Sequence, residues 1–367
     1  MKTPDAAGFL SEKINNIAEY QPNLEILPIR LDANESPFPL SDALRADFSG
    51  YIAGAEFNRY PDPLAGDIIA EFGAAYGVPA ENLVCSNGSD EMISIICASF
   101  LSKGEKAVFL RPDFSMYEFY SSLAEVDVSA YQKSDGCFIC FDSLEAQIKS
   151  VGARLVIFSN PCNPTGVMYP RELVLGFVRR LAEYGTVCVV DEAYMDFART
   201  DESLMKPELL LSEPNLIVLR TLSKLGLAGL RLGFAAANET LIRGIKKVKS
   251  PYNVNSASQA MGTLALRRFD EFRRNAAKIR KGTAALYSAL LPFSDSLGFK
   301  VSESDANFVF LRFGAPAAPR KIHGELLKRG ISVRLFAGLS ALRITCGAEE
   351  ENAALISAIK QISADMR

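Results

Sequence analysis

The chain has a single histidine, His323, among its 367 residues. That scarcity leaves little for a serine–histidine–acid triad or a histidine-rich metal site to stand on. It also has no run of about 18 uncharged apolar residues, the length a membrane-spanning helix needs. The longest uncharged stretch, 155–170, is broken by Asn160, Pro161, Asn163, Pro164 and Gly166. Positive charge is not in excess either. With 40 basic and 43 acidic residues the formal net charge is -3, which argues against nucleic acid or an anionic membrane as a partner. Residues 1–13 mix Lys2, Asp5, Glu12 and Lys13 with no apolar core, unlike a signal peptide, so a cytoplasmic location is expected.

The seven cysteines are an odd, scattered set, which speaks against a disulfide framework in a chain of this size. Cys137 and Cys140 form one C-x-x-C, but there is no second pair to complete a zinc site. They read as two partly buried thiols near a hairpin, and no metal is expected. His323 lies in a charged helical stretch, 320–329, and reads as a surface residue. Two nucleotide signatures are missing as well. There is no G-x-x-x-x-G-K-[ST] phosphate loop and no G-x-G-x-x-G, since Gly226, Gly229 and Gly233 have the wrong spacing.

What is present is an alternation of short β-rich runs with longer helical ones. Strands are expected at 82–85, 107–110, 126–130, 154–158, 187–190 and 216–219, the last two being apolar runs of the kind buried on both faces. Helices are expected at 90–101, at 170–183 with Pro170 at its start, and from the N-cap Asn238 to about Lys249. This pattern predicts an α/β domain with a mostly parallel sheet flanked by helices. A long helical tract, 256–290, follows. Strands at 307–312, 331–335 and 342–345 with helices at 320–328 and 349–362 then suggest a smaller α+β unit. The expected division is a large domain over 35–255, and a small one made of 256–367 with the arm 1–34.

Four polar clusters each follow an expected strand: Ser86-Asn87-Gly88-Ser89-Asp90, Asn160-Pro161-Cys162-Asn163-Pro164-Thr165-Gly166, Asp191-Glu192-Ala193-Tyr194 and Arg220-Thr221-Leu222-Ser223-Lys224. If those strands are parallel, all four clusters share one edge of the sheet, where ligands of open α/β sheets bind. Each has an innocent reading as a turn or a solvated charge. Lys224, however, precedes the apolar stretch Leu225-Gly226-Leu227-Ala228-Gly229-Leu230, and burial would lower its pKa, as Schiff-base chemistry requires. Further on, Arg231 supplies a fixed positive charge suited to a phosphate ester. A carboxylate, a lysine, a phenol and an arginine on strand ends suit a cofactor with both a pyridinium and a phosphate.

At these residues the chain resembles the fold-type I aminotransferases, and within them the histidinol-phosphate aminotransferases. The likeness runs from Leu31-Asp32-Ala33-Asn34-Glu35 through Arg59-Tyr60-Pro61, the cluster motifs and Ala228-Gly229-Leu230-Arg231 to Leu342-Arg343-Ile344-Thr345, in the family's order. It implies pyridoxal phosphate held by Lys224 as a Schiff base, with Lys224 then moving the substrate's α-proton. Asp191 would pair with the pyridine nitrogen, while Asn163 and Tyr194 would bond the ring's phenolic oxygen. Gly88, Ser89, Asp90, Thr221, Ser223 and Arg231 would hold the phosphate. Tyr60 would reach that phosphate from a partner subunit, which implies a homodimer. Phe114 stands where the family usually has a ring-stacking tyrosine. Arg334 and Arg343, with Asn34, match the substrate-binding positions. The implied reaction is ping-pong transfer of an amino group from L-histidinol phosphate to 2-oxoglutarate. The alternatives are an aromatic or other amino-acid aminotransferase, or a phospho-amino-acid decarboxylase.

Overall fold

A computed structural model of the chain describes residues 9–15, 17, 26–135 and 137–365. Most of the segment 1–25, including most of the stretch weighed above as a leader and most of the expected arm, lies outside them. Twelve strands are described: β1 (Ile29–Leu31), β2 (Leu83–Asn87), β3 (Lys106–Arg111), β4 (Asp127–Gln132), β5 (Leu155–Ser159), β6 (Val187–Asp191), β7 (Leu216–Thr221), β8 (Leu232–Ala237), β9 (Phe299–Val301), β10 (Phe308–Phe313), β11 (Ile331–Phe336) and β12 (Ala341–Thr345). They form a large sheet of order β2-β8-β7-β6-β5-β3-β4 and a small one of order β1-β11-β12-β10-β9.

In the large sheet only β8 runs against its neighbours; the other pairings are parallel. Successive side chains of a strand point to opposite faces, so a strand that is apolar throughout must be covered on both. On β5, Val156 and Phe158 enter one core cluster and Leu155 and Ile157 the other. On β6 and β7 the same alternation divides Cys188, Val190, Leu216 and Val218 from Val189, Ile217 and Leu219. The α/β architecture expected from the sequence is therefore present, a mostly parallel mixed sheet.

Three strands escape the sequence reading. β1 and β9 are only three residues long. β8 reads Leu-Gly-Phe-Ala-Ala-Ala, and alanine and glycine are poor β-formers whose burial here comes from tertiary packing. The helical tract 256–290 divides into Ser256–Arg267 and Phe269–Leu290. The second helix joins the two units. Phe269, Phe272, Ala276 and Ile279 pack into the large-sheet core, and Leu286 and Leu290 into the core of the small sheet. Asn238 caps its helix as expected, accepting from Leu241 N–H at 3.0 Å. His323 is a correction. It is half-buried on helix Ala317–Lys328, and burial lowers its pKa against a hydrogen bond with the Val333 backbone. Of the C-x-x-C pair, Cys137 is buried and Cys140 exposed, and both are free thiols. Among the described residues no helix is long and apolar enough to cross a membrane, and no group of metal-ligating side chains assembles.

Candidate active site

β2, β3, β5, β6 and β7 all end on one edge of the large sheet. β2 belongs there because β8 lies between it and β7, antiparallel to both, so β2 and β7 point the same way. The four polar clusters therefore converge, as the sequence suggested.

The turn after β2 holds Gly88 at φ 86°, and helix Ser89–Phe100 begins there with no side chain capping it. The first-turn N–H groups of a helix have no intrahelical partners and sit at the positive end of its dipole, which makes an anion site. Arg231, at φ 53°, closes over this turn and reaches Ser223 Oγ at 3.4 Å and Asp90 Oδ2 at 3.3 Å. A Cβ on Gly88 would lie 2.5 Å from Arg231 Nη2, so only glycine leaves the guanidinium its place. Thr221 Oγ1 lies 2.9 Å from Ser223 Oγ and fixes that hydroxyl.

Strand alternation then divides the next two clusters between faces. Asp191 stays at the site while Glu192 turns to the opposite side, where it meets Arg220 at 2.9 Å. Asp191 is 4% exposed. Its Oδ1 accepts from Ala193 N–H at 3.0 Å and its Oδ2 from the Tyr117 hydroxyl at 2.8 Å. Burial pushes its pKa up to about 6 against the pull of those two bonds. No cation pairs with it among the described residues.

Tyr194 is buried, edge-on to Phe308 at 5.2 Å, and its oxygen accepts from Asn34 Nδ2 at 2.8 Å, which leaves its own hydrogen free to donate. Asn34 is itself clamped, its Oδ1 accepting from Thr345 Oγ1 at 3.1 Å and its carbonyl from Asn307 Nδ2 at 3.0 Å. Lys224 Nζ lies 6.0 Å from the Tyr194 ring centre and donates to the Ala33 carbonyl at 3.3 Å. The burial expected of Lys224 is partial. Ser223 and Leu225 are buried on either side, but Lys224 is half-buried because its side chain leaves the sheet edge where the clusters open. Phe114 packs edge-on against Tyr117 at 5.5 Å on the turn after β3.

Arg343, on β12, is 7% exposed. It donates to Asn163 Oδ1 at 2.6 Å and to the Asp32 carbonyl at 2.7 Å. Asn163 Nδ2 is thereby turned free to donate. The guanidinium lies 5.3 Å from the Phe308 ring and 5.7 Å from Phe336, and its Nε has no partner. Arg334 on β11 is its direct cross-strand neighbour, exposed and on the same face. No carboxylate pairs with either arginine among the described residues. Burial, helped by the adjacent Arg334, lowers the pKa of Arg343 against the opposing pull of Tyr194 and Asp32. Two like charges side by side, neither held in an ion pair among the described residues, make a site for an anion. Tyr60 is not part of this assembly. It is 83% exposed and stacks on Tyr252 at 4.7 Å.

Tyr117 is the residue that sequence reasoning missed. The turn after β3, with Asp113, Phe114 and Tyr117, is a fifth cluster on the same edge, of which the sequence reading singled out only Phe114.

The fold and this edge define a transaminase-like α/β enzyme. A family model described as aminotransferase class I and II matches residues 28–359. A histidinol-phosphate aminotransferase of Carboxydothermus hydrogenoformans is 36% identical over 96% of this chain and 98% of its own, and one of Clostridium novyi is 37% identical over 95% of each. The crystal structure of the histidinol-phosphate aminotransferase of Sinorhizobium meliloti, solved with pyridoxal 5'-phosphate, superposes with a TM-score of 0.86 at 24% identity, covering 98% of both chains. The chain belongs to the class I and II aminotransferase family and is an aminotransferase, as its motifs suggested.

Proposed function

We propose that the chain transfers the amino group of L-histidinol phosphate to 2-oxoglutarate by a ping-pong mechanism, with pyridoxal 5'-phosphate bound through Lys224. The observation that carries the substrate reading is the pair Arg334 and Arg343, cross-strand neighbours with no carboxylate in an ion pair with either among the described residues. Relatives named histidinol-phosphate aminotransferase over nearly the whole chain support the phosphate as the anion.

The residues present fit the cofactor. The uncapped helix start at Ser89 and Asp90, with Gly88, Thr221, Ser223 and Arg231, suits its phosphate. The buried Asp191 carboxylate, lacking a cation, suits a protonated ring nitrogen. Asn163 Nδ2 and the Tyr194 hydroxyl are the free donors for its phenolic oxygen, and Phe114 is the aromatic face for its ring. When bound, pyridoxal phosphate supplies an electrophilic carbonyl and a ring that takes up electrons from the substrate's α-carbon. Asp191 holds its charge against burial and so keeps a proton on the ring nitrogen. Lys224 Nζ would hold the cofactor's carbonyl carbon and would take and return the substrate's α-proton. Asn34 acts through Tyr194, whose phenol it holds, and Arg343 and Arg334 orient the substrate's anionic end. We further propose a homodimer in which the exposed Tyr60 reaches the partner's phosphate site, and domains divided at 35–255 and 256–367 with the N-terminal arm.

The test is a single half-reaction of the cofactor-loaded protein, followed by the cofactor's absorbance. Histidinol phosphate is expected to convert it to the amine form rapidly and phenylalanine slowly. Faster conversion by phenylalanine moves the assignment to the aromatic aminotransferases. Release of carbon dioxide from a phosphorylated amino acid with no amine form of the cofactor moves it to the decarboxylases.

A further inference from the structure

Behind the proposed ring site, a lysine and a cysteine are held in contact. Lys133, just past the end of β4, has no exposed side-chain surface, and its Nζ donates to Asp113 Oδ2 at 3.0 Å and to Cys162 Sγ at 3.1 Å. Asp113 is equally enclosed and accepts a second bond from the Ser159 hydroxyl. Cys162 is fully buried, lies 3.8 Å from the Pro112 carbonyl and is hydrogen-bonded by the Thr165 side chain. Asp113 alone satisfies the lysine's charge, so the ion pair does not require the sulfur.

The other cysteines are placed differently. Cys85, Cys97 and Cys188 are buried with their thiols pushed up by desolvation, Cys85 to about 12 and Cys97 to about 11, and none has an amine in hydrogen-bonding contact. Cys137 faces an arginine at 3.8 Å, Cys346 faces Asn352 and backbone carbonyls, and Cys140 is exposed. At Cys162 burial also raises the thiol's pKa, and Lys133 pulls it back. Burial works against the Lys133 ammonium in turn, but Asp113 and Cys162 outweigh it and hold the pKa above its ordinary value.

We propose that Lys133 and Cys162 are a covalent modification site, at which dioxygen joins Nζ to Sγ through a single bridging oxygen. The amine reacts in its neutral form, the extra proton passing along the Lys133–Asp113 hydrogen bond against the raised pKa of the ammonium. An S–O and an O–N bond form, while the S–H, one N–H and the O–O bond break. Sulfur and nitrogen are oxidised and dioxygen is reduced. Its second oxygen leaves as water with the two hydrogens released. Oxidised cysteine ordinarily ends in a disulfide or in higher acids. The enclosure of Cys162 shuts out a second thiol and presents an amine instead. It also restricts the oxidant to a molecule as small as dioxygen. The bridge would fasten the end of β4 to the loop carrying Asn163 and, through Asp113, to the turn carrying Phe114.

The test is peptide mapping by mass spectrometry of the cofactor-loaded protein, kept in air-saturated buffer and in parallel without oxygen. The expected product is one linked species containing Cys162 and Lys133, with one oxygen gained and two hydrogens lost relative to the separate peptides. Dithiothreitol should return it to the free peptides, and it should be absent from the isosteric Cys162→Ser variant and from the anaerobic sample. Recovery of Cys162 after air exposure as a free thiol, or as a sulfinic or sulfonic acid unlinked to Lys133, overturns the proposal. The wild-type map decides even where the variant folds poorly, and it does so independently of which amine the enzyme prefers.

Discussion

Arg220 and Arg343 are both buried guanidiniums on strands, and each leaves its Nε without a partner. Their charges are treated in opposite ways. Arg220 lies 2.9 Å from Glu192 and 2.9 Å from Asp196, with the Tyr76 ring 5.2 Å away. Burial opposes its charge, yet the two carboxylates outweigh that and raise its pKa. Arg343 donates only to the neutral oxygens of Asn163 and the Asp32 backbone and faces a second arginine, and there burial prevails over the pull of Tyr194 and Asp32. Taking a charge out of water costs several kcal/mol unless a partner offsets it. A closed cluster such as Arg220 with Glu192 and Asp196 therefore belongs to the fold. An open charge such as Arg343 is left for something the protein binds. Asp191 is the open acid corresponding to Arg343.

The comparison breaks first if Arg220→Met is tolerated. That change strands two carboxylates, one of them, Glu192, fully enclosed, and is expected to cost roughly 3–5 kcal/mol in denaturant unfolding. An unfolding free energy within ~1 kcal/mol of wild type would show the cluster to be dispensable.

Asp191 gives the next largest effect, read as pH dependence. Its folded pKa of about 6 lies above its ordinary 3.8, so the folded chain binds a proton more tightly than the unfolded one. The resulting stability is complete below about pH 4 and is lost as the pH rises through 6, in total roughly 3 kcal/mol. Cofactor-free wild type should therefore fall relative to Asp191→Asn between pH 4 and pH 7. Parallel stability curves would mean that the acid is not open. Saturating the protein with pyridoxal phosphate should remove the difference, because a pyridinium partner lowers the acid's pKa again.

The open charges were more legible in the sequence than the closed ones. Asp191 and Lys224 stand in motifs that follow unbroken apolar strands, and Arg343 inside the expected strand 342–345, places where a charge has no packing reason to be. Glu192 and Arg220 lie in the same motifs, but their separation to the other face follows from a register that only the folded sheet supplies. β8 was illegible because its alanines become strand only by pairing on both sides. Tyr117 and Lys133 were invisible for a similar reason. One looks like core and the other like a surface charge, until the parallel pairing of β3 with β4 and β5 brings their turns together.

Arg343→Met sharpens the contrast from the other direction. Removing an unpaired buried charge should leave unfolding within about 1 kcal/mol of wild type. Binding of the anionic amino donor should weaken by about 2 kcal/mol, close to thirtyfold, the worth of a hydrogen bond to a charged group. A large loss of stability with unchanged KM would make Arg343 a second Arg220.

The smallest effect is the most specific. Tyr117→Phe removes the hydroxyl that donates to Asp191 at 2.8 Å and leaves the ring in its packing. That bond favours the charged carboxylate, so its loss, worth about 1 kcal/mol, should move the acid's midpoint upward from about 6 by somewhat under one pH unit. In the cofactor-free variant the decline should begin near pH 4 as in wild type but run on to higher pH before it levels off. The loaded variant should need more alkaline conditions to keep Asp191 ionised, and so should lose cofactor sooner as the pH falls. A midpoint that stays in place would assign the charge of Asp191 to the Ala193 N–H alone and leave Tyr117 as packing.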